Sequence, residues 1–325
     1  MKKVTIEKIA KILNVSNSTV CKALNNTGGV SYNTKKKILE LAEAEGYTPK
    51  NETTHIGIVM PNSPKFFWQT YLTEIFERSQ AAGLSCQHFL YESAAHPEDV
   101  LLCLESVEKA QVKVLLVGIT CNVGVPEIME KLKELESKMF VIFLEEIYQN
   151  VKQYYVGEHS YNSAKKLATV YLEKNPESKN FLVFSTGGHS IGSRVDGFRE
   201  EINARNLNII DVLELPAKST TMAASIARVI NNYKDKIDCI FCASNSVSDV
   251  CLAIRKLKKP NIHCIGFDCT TADLTYFDMG ILKCVARQNI PEQARTVTEI
   301  AERYLATGEK PAHNHSFVED YFISD

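Results

Sequence analysis

Three polar side chains near the amino terminus are of the types that recognise DNA bases. Asn17, Ser18 and Lys22 fall within a predicted short helix whose apolar side is formed by Val20 and Leu24. An asparagine amide can pair with adenine and a lysine can donate to guanine, so these side chains could bind base edges in a major groove. The same periodicity also suits a small helical subdomain whose lysines contact only water, and both interpretations stay open here.

Three short helices would position these side chains. Apolar residues recur at helical spacing over residues 4–13 and again over 17–24, and a third stripe follows Ser31. Hydroxyl side chains stand where helix N-caps are expected, at Thr5, Ser16 and Ser31. Two short helices joined by a tight turn and closed by a third form a helix-turn-helix unit, whose second helix enters the major groove.

The charge distribution indicates a nucleic-acid partner at one end of the chain. The 325 residues carry 37 Lys and Arg against 39 Asp and Glu, a formal net charge of −2. Residues 1–50 hold nine lysines and four glutamates, a balance of +5, which leaves −7 for the rest of the chain. A basic head on an acidic body favours an approach to DNA with the head first.

The amino-terminal sequence closely resembles the DNA-binding head of the LacI/GalR repressor family. The shared motifs are V-T-I-x-x-I-A from residue 4, V-S-x-S-T-V-x-K-A-L-N from residue 15 and G-Y-x-P at residues 46–49. The resemblance implies that residues 17, 18 and 22 face bases and that residues 5, 16, 19, 25 and 31 are among the backbone and capping contacts. The predicted DNA-binding residues are Thr5, Ser16, Asn17, Ser18, Thr19, Lys22, Asn25, Ser31 and Thr34.

Residues 49–55 join the predicted head, residues 1–48, to the body and depart from the family pattern. The family follows Tyr-x-Pro with a short hinge helix of the Ala-Arg-x-Leu type, which docks in the minor groove, and that pattern is absent here. Seven extended residues span about 25 Å. We therefore expect a short linker without a hinge helix, and a protein that binds DNA mainly through its heads and bends it less than is usual for the family.

Strands and helices alternate from residue 56 to residue 325. Several strands are near-continuous apolar runs, as parallel strands covered on both faces require. This alternation predicts doubly wound α/β sheets in two lobes. The expected N-lobe comprises about 56–157 plus 288–316, and the expected C-lobe about 158–287 plus the last strand.

Polar and aromatic residues follow several predicted strands, which is where open α/β sheets bind ligands. Rings can stack on the apolar faces of a sugar while polar groups bind its hydroxyls. Core packing of the rings and a surface salt bridge of the arginine are the alternatives. The predicted effector-binding residues are Phe66, Phe67, Trp68, Arg194, Asn245, Asp268 and Gln288.

The body resembles the effector domain of the same family, which is itself similar to periplasmic sugar-binding proteins. The resemblance rests on I-G-I-V-x-P at 56–61, R-x-x-G-F at 194–198 and I-G-F-D at 265–268. It implies a three-helix head followed by a two-lobe, type I periplasmic-binding-protein-like α/β domain. It also implies effector contacts by the Arg and the Asp of these motifs and by Asn245.

Three departures from the family pattern bear on the ligand. Ser246 replaces an Asp, Glu158-His159 replace Asp-Asn, and Glu145-Glu146 stand where Asp-Arg is common. These substitutions leave the identity of the effector open.

Other classes of protein fit the sequence less well. No apolar run approaches the roughly 18 residues of a membrane span, so we expect a cytoplasmic protein whose ten cysteines are thiols, most of them within apolar stretches. The GxSxG, HExxH, P-loop and GxGxxG motifs are absent, so no enzyme, metal or cofactor is predicted.

We expect a homodimeric transcription regulator, a repressor on a palindromic operator, that responds to a sugar or sugar derivative bound between two lobes. Two other classes stay open. One is a sugar- or purine-binding sensor module without specific DNA binding, and the other is an enzyme on an α/β scaffold.

Overall fold

The computed structural model describes residues 5–24, 29–45, 55–92, 97–119, 126–148, 153–186, 188–215, 222–233, 235–259 and 261–324. Up to residue 157 its elements are α1 Ile6–Leu13, α2 Asn17–Leu24, α3 Tyr32–Ala44, β1 Ile56–Pro61, α4 Lys65–Ala81, β2 Cys86–Tyr91, α5 Pro97–Ala110, β3 Val114–Val117, α6 Pro126–Glu136, β4 Phe140–Leu144 and β5 Tyr154–Gly157.

The later elements continue the alternation and end in two short strands. They are α7 Ser160–Lys174, β6 Asn180–Ser185, α8 His189–Ala204, β7 Asn208–Glu214, α9 Met222–Tyr233, β8 Cys239–Cys242, α10 Val247–Leu257, β9 His263–Phe267, α11 Thr275–Asp278, β10 Leu282–Arg287, α12 Ile290–Thr307, β11 His315–Phe317 and β12 Tyr321–Ser324.

Two sheets organise the body. Their strand orders are β11-β5-β4-β3-β1-β2 and β12-β10-β9-β8-β6-β7. β1 pairs in parallel with β2 and β3, and β6 pairs in parallel with β7 and β8. The strand order therefore reverses beside β1 and beside β6, and such switch points are where open α/β sheets bind ligands. The predicted doubly wound fold is confirmed.

The chain divides into two compact units. Residues 1–157 and 290–316 form the first unit, and residues 158–289 and 317–325 form the second. The head thus belongs to the first unit. Gln288, which falls within the range we expected for the N-lobe, lies in the second unit, because the chain crosses back only after residue 289.

Apolar clusters cover both faces of each sheet. On β8, Cys239 belongs to the cluster on one face and Cys242 to the cluster on the other, as the alternation of side chains along a strand requires. Both thiols are completely buried. The expectation of buried, structural thiols is confirmed for this pair.

Helix α8 begins at His189, five residues before Arg194. Gly188 has a φ of 95°, a conformation that glycine adopts without strain, and it turns the chain from β6 into the helix. The short helix α11 was not predicted, because four residues show no periodicity.

The head has its own small core. Each of the three head helices contributes a fully buried residue to one apolar cluster: Ile9, Val20 and Ile38. The three-helix arrangement predicted from the apolar stripes is confirmed.

Candidate functional site

The predicted cap residues of the head form the local structure that their types favour. Thr5 accepts a hydrogen bond from the backbone N–H of Lys8, and Ser16 Oγ accepts one from Thr19 at 3.0 Å. Ser31 accepts from the backbone N–H of Thr34 at 3.4 Å and also contacts its hydroxyl at 2.9 Å. The caps fix where α2 and α3 begin, and helix amino termini favour anions such as phosphates.

Helix α2 presents the predicted base-reading residues to solvent. Asn17, Ser18 and Lys22 are exposed, whereas Val20 and Ala23 on the same helix are buried in the head core. Ser18 and Lys22 are four residues apart and therefore lie on one face of the helix. The remaining predicted contacts, Thr19 and Thr34, are half-buried, and Asn25 lies outside the described residues. The same is true of residues 49–54, which include nearly all of the predicted linker.

One head lysine is not available to DNA. Lys35 is only 4% exposed, and its Nζ lies 3.4 Å from the carbonyl oxygen of Leu90 and 3.5 Å from Cys103 Sγ. Nearby, the backbone N–H of Gly29 donates to Glu92 at 2.7 Å. The head therefore packs on β2 and α5 of the first unit, a contact that its sequence pattern did not indicate.

Arg194 is buried in the second unit and paired with a carboxylate. Its Nε and Nη2 lie 2.7 and 2.6 Å from one oxygen of Glu158, and its Nη1 donates to the carbonyl oxygen of Ala243 at 3.0 Å. The guanidinium also lies over the ring of Phe267, 3.9 Å from its centroid. Burial alone would lower the pKa of Arg194. The negative charges of Glu158 and Asp268 outweigh burial and raise the pKa above its ordinary value, so the guanidinium stays charged.

A glycine one turn along α8 allows this arrangement. A Cβ atom at Gly197 would lie 2.0 Å from the carbonyl oxygen of Tyr161 on α7. Close packing of α8 on α7 brings Arg194 to Glu158, which immediately precedes α7. The spacing of the R-x-x-G motif therefore has a structural reason.

Asp268 and Gln288 are neighbours at the ends of β9 and β10. The backbone and side-chain amides of Gln288 donate to the Asp268 carboxylate, and Arg194 acts on it electrostatically. Burial raises the pKa of Asp268, and these neighbours lower it in part. Asn245 is half-buried two residues beyond Ala243, the residue whose carbonyl binds Arg194. Asn245, Asp268 and Gln288 thus follow strands of the second unit, and Arg194 on α8 reaches the carbonyl that follows β8.

Two carboxylates of this site were not among the predicted residues. The sequence identified Glu158 only as a departure from the family pattern and not as a site residue. A buried arginine requires a partner of opposite charge, and Glu158 is that partner. Asp320 precedes the last strand and is 7% exposed. Burial, followed by the charge of Glu158, raises the pKa of Asp320. No local motif marks Asp320, so the sequence held no signal for it.

The predicted aromatic platform is wrong for two of its three rings. Phe67 and Trp68 are 7% and 4% exposed and pack with Tyr71 in the core of the first unit. A Cβ at Gly118 would lie 2.7 Å from the Trp68 ring, which shows how tightly that ring is enclosed. Phe66 is exposed. The first turn of α4 turns two of the three consecutive rings inward, so ordinary core packing explains them.

Two features are absent from the part of the chain that the structure describes. Within the described ranges, no helix is both long enough and apolar enough to cross a membrane. No group of three or more His, Cys, Asp or Glu side chains in the same part of the chain is arranged to hold a metal ion.

The fold and these residues define a chain in which a helix-turn-helix head precedes two units of periplasmic-binding-protein type. Residues 5–50 match the family described as bacterial regulatory proteins, lacI family, and residues 56–310 match the periplasmic binding protein domain. The chain belongs, through its body, to the periplasmic binding protein domain family, and its head matches the lacI family of bacterial regulatory proteins.

Curated relatives align with different parts of the chain. The chain is 61% identical over 46 residues to the probable HTH-type transcriptional repressor ExuR of Bacillus subtilis (strain 168), which covers 14% of each protein. It is 22% identical over 213 residues to the HTH-type transcriptional repressor PurR of Haemophilus influenzae (strain PittEE), which covers 63% of this chain and 62% of that protein. The chain therefore aligns with less than two thirds of the length of either relative.

Solved structures show the same fold at low identity. GanP, a glucose-galactose binding protein from Geobacillus stearothermophilus, matches with a TM-score of 0.73 and 14% identity over 84% of this chain and 98% of its own. The lac repressor dimer bound to operator and the anti-inducer ONPF matches with a TM-score of 0.70 and 15% identity over 99% of this chain and 98% of its own.

Proposed function

We propose that this protein is a transcription repressor that binds a palindromic operator as a homodimer and responds to a small-molecule effector, a sugar or sugar derivative. The observation that carries the proposal is the exposed polar face of α2, formed by Asn17, Ser18 and Lys22, on a helix whose other side is the head core. The repressor names of the relatives support it. A regulator that acts on DNA works in the cytoplasm.

The side chains of α2, the helix amino termini and the lysines of the head have separate proposed roles in DNA binding. The three exposed side chains of α2 contact base edges, and the capped amino termini of α2 and α3 contact phosphates. Among the described head lysines, Lys11, Lys36 and Lys37 are exposed and supply charge. Lys35 is excluded from this role by its burial.

The proposed effector site lies at the strand ends of the second unit. Arg194, Asp268 and Gln288 meet there, next to the switch point beside β6. Asn245 lies two residues beyond Ala243, whose carbonyl oxygen binds Arg194. GanP, whose printed name describes a glucose-galactose binding protein, supports a sugar as the class of ligand. The effector changes DNA affinity by binding one conformation of the protein more tightly than the other.

Selection of operators from a random-sequence DNA library with the full-length protein tests the proposal. We expect a palindromic consensus, a complex with two protein copies, and an affinity that falls steeply as salt rises from 50 to 200 mM, about a factor of 10³ or more for six phosphate contacts. Equal binding of all sequences at every salt concentration would contradict it. Sugar binding without sequence preference would instead identify a sensor module.

A further inference from the structure

The charges around Arg194 restrict the chemistry of the effector. The Arg194 cluster, as we use the term, comprises Glu158, Arg194, Asp268, Gln288 and Asp320 in the second unit. We infer that this cluster selects a ligand that donates hydrogen bonds and carries no negative charge, such as a neutral or amino sugar, and that it rejects sugar acids and sugar phosphates. The inference rests on the proposed function, because it concerns the same effector site.

The guanidinium of Arg194 is already occupied by the protein. An arginine that recognises a carboxylate or phosphate offers two parallel N–H donors to it. Here Nε and Nη2 both donate to Glu158, Nη1 donates to the Ala243 carbonyl, and Phe267 covers one face of the group. Nη1 and Nη2 each carry one further N–H, but an anionic ligand could take the paired Nε and Nη2 donors only by displacing Glu158, which is 1% exposed and would be left as a buried charge.

The remaining groups of the cluster are carboxyls. Asp268 is half-buried and accepts hydrogen bonds from the backbone and the side chain of Gln288. Asp320 is 93% buried, and neither of its oxygens accepts a hydrogen bond of normal geometry within the described residues, although Glu158 and Ser163 lie beside it. Ligand hydroxyl or ammonium groups would satisfy these oxygens.

The cluster offers an incoming anion no unpaired positive charge, whatever the protonation states of Asp268 and Asp320. Glu158 compensates Arg194. Asp268 and Asp320 each add one negative charge when ionised and none when protonated. The cluster therefore has no net positive charge, and a negative charge brought in by a ligand would not be neutralised in a poorly solvated site.

Arg287, which precedes Gln288 in the sequence, does not change this balance. Arg287 is exposed at the end of β10 and acts on Cys269. Successive residues of a strand point to opposite faces. Val285, on the same side as Arg287, packs in the cluster with Cys269, whereas Ala286 packs on the face that holds Phe267. Arg287 thus points away from the face on which Arg194 lies.

Matched sugars on one frame test the inference with the full-length protein. Titration calorimetry at pH 7 would compare galactose, galactosamine, galacturonate and galactose 6-phosphate, and the same four forms of glucose. We expect the neutral or amino form of the bound frame to bind at least about tenfold more tightly than its acid and phosphate forms. Tighter binding of the acid or phosphate form would overturn the inference.

Two variants connect this discrimination to Asp268. Asp268→Asn should reduce the ratio between the Kd values of the acid and neutral forms. Asp196→Asn is the matched control, because Asp196 lies on the same helix as Arg194 but is exposed and pairs with Arg199, and it should keep the ratio of the original protein. Thermal unfolding of each variant verifies folding. An unchanged ratio in folded Asp268→Asn would overturn the assignment.

Operator binding with each sugar present separates this inference from the proposed function. If a neutral sugar binds but operator affinity does not change, the proposed regulation fails and the charge selection stands. If a sugar acid binds best and changes operator affinity, the regulation stands and the charge selection fails. If neither frame binds in any form, a sugar effector and the selection among sugars both fail.

Discussion

Arg194 and Glu158 form a buried ion pair in which two guanidinium nitrogens donate to a single carboxylate oxygen, at 2.7 and 2.6 Å. The same oxygen also accepts from the hydroxyl of Ser160 at 2.7 Å. The two partners are 36 residues apart and are joined by the packing of α8 on α7. The arginine expected to contact the effector is thus held in place by the protein before any ligand binds.

Removal of the Glu158 charge should destabilise the second unit. Glu158→Gln keeps the shape but leaves Arg194 without its paired anion, and breaking a buried pair in this way costs about 3 kcal/mol. Urea unfolding followed by circular dichroism measures the change. Glu200→Gln is the control, because Glu200 pairs with Lys165 at the surface and half of its side chain is exposed. Equal losses of unfolding free energy in the two variants would show that the buried pair stabilises the protein no more than the surface pair does.

Two glycines of α8 should respond in opposite directions to alanine. Gly197→Ala places a Cβ against the backbone of Tyr161 and should lower the free energy of unfolding by about 1–3 kcal/mol. Gly192→Ala meets nothing within 4 Å and should raise it by up to about 1 kcal/mol, because alanine favours the helix. Chemical unfolding distinguishes them. A neutral Gly197→Ala would mean that α7 and α8 can separate without cost.

Asp320 should make the protein less stable as the pH rises. Burial and Glu158 raise its pKa above the ordinary value of 3.8. The folded state therefore holds this proton in a range where the unfolded state has lost it. Its contribution to stability is complete below 3.8 and is lost as the pH rises towards the pKa of the folded state.

Asp320→Asn tests this pH dependence. The amide stays neutral at every pH, so the free energy of unfolding measured in urea between about pH 5 and 8 should fall less with pH than in the original protein. The exposed Asp196→Asn serves as the comparison and should retain the original slope. A steeper decline in the Asp320 variant would contradict the raised pKa.

Lys22→Ala should weaken the choice among operators more than it affects folding. Lys22 is exposed on α2, and loss of a base contact costs about 1–3 kcal/mol and relaxes preference at one position. Lys36→Ala removes an exposed head lysine from another helix and should weaken binding evenly across sequences. Competition assays with single-base operator variants separate the two effects. Intact preference in Lys22→Ala would remove its role as a base contact.

Sequence periodicity was sufficient for most of the fold. Apolar spacing marked the head helices, and the alternation of strands and helices marked both sheets, because these patterns depend on residues within a few positions of each other. The cap residues Thr5, Ser16 and Ser31 were readable for the same reason, since a cap bonds a backbone group two or three residues along the chain. Such patterns do not detect an element as short as α11, because four residues make only about one helical turn.

The amino-acid sequence by itself determined a basic helix-turn-helix head, an α/β body and the polar residues that follow its strands. The tertiary structure decided which of those residues remain available. It buried Lys35 against β2 and α5, enclosed Phe67 and Trp68 in the core, and paired Arg194 with Glu158. Burial and charge pairing depend on residues that are distant in the chain and adjacent in space, so the local spacing of residues does not predict them.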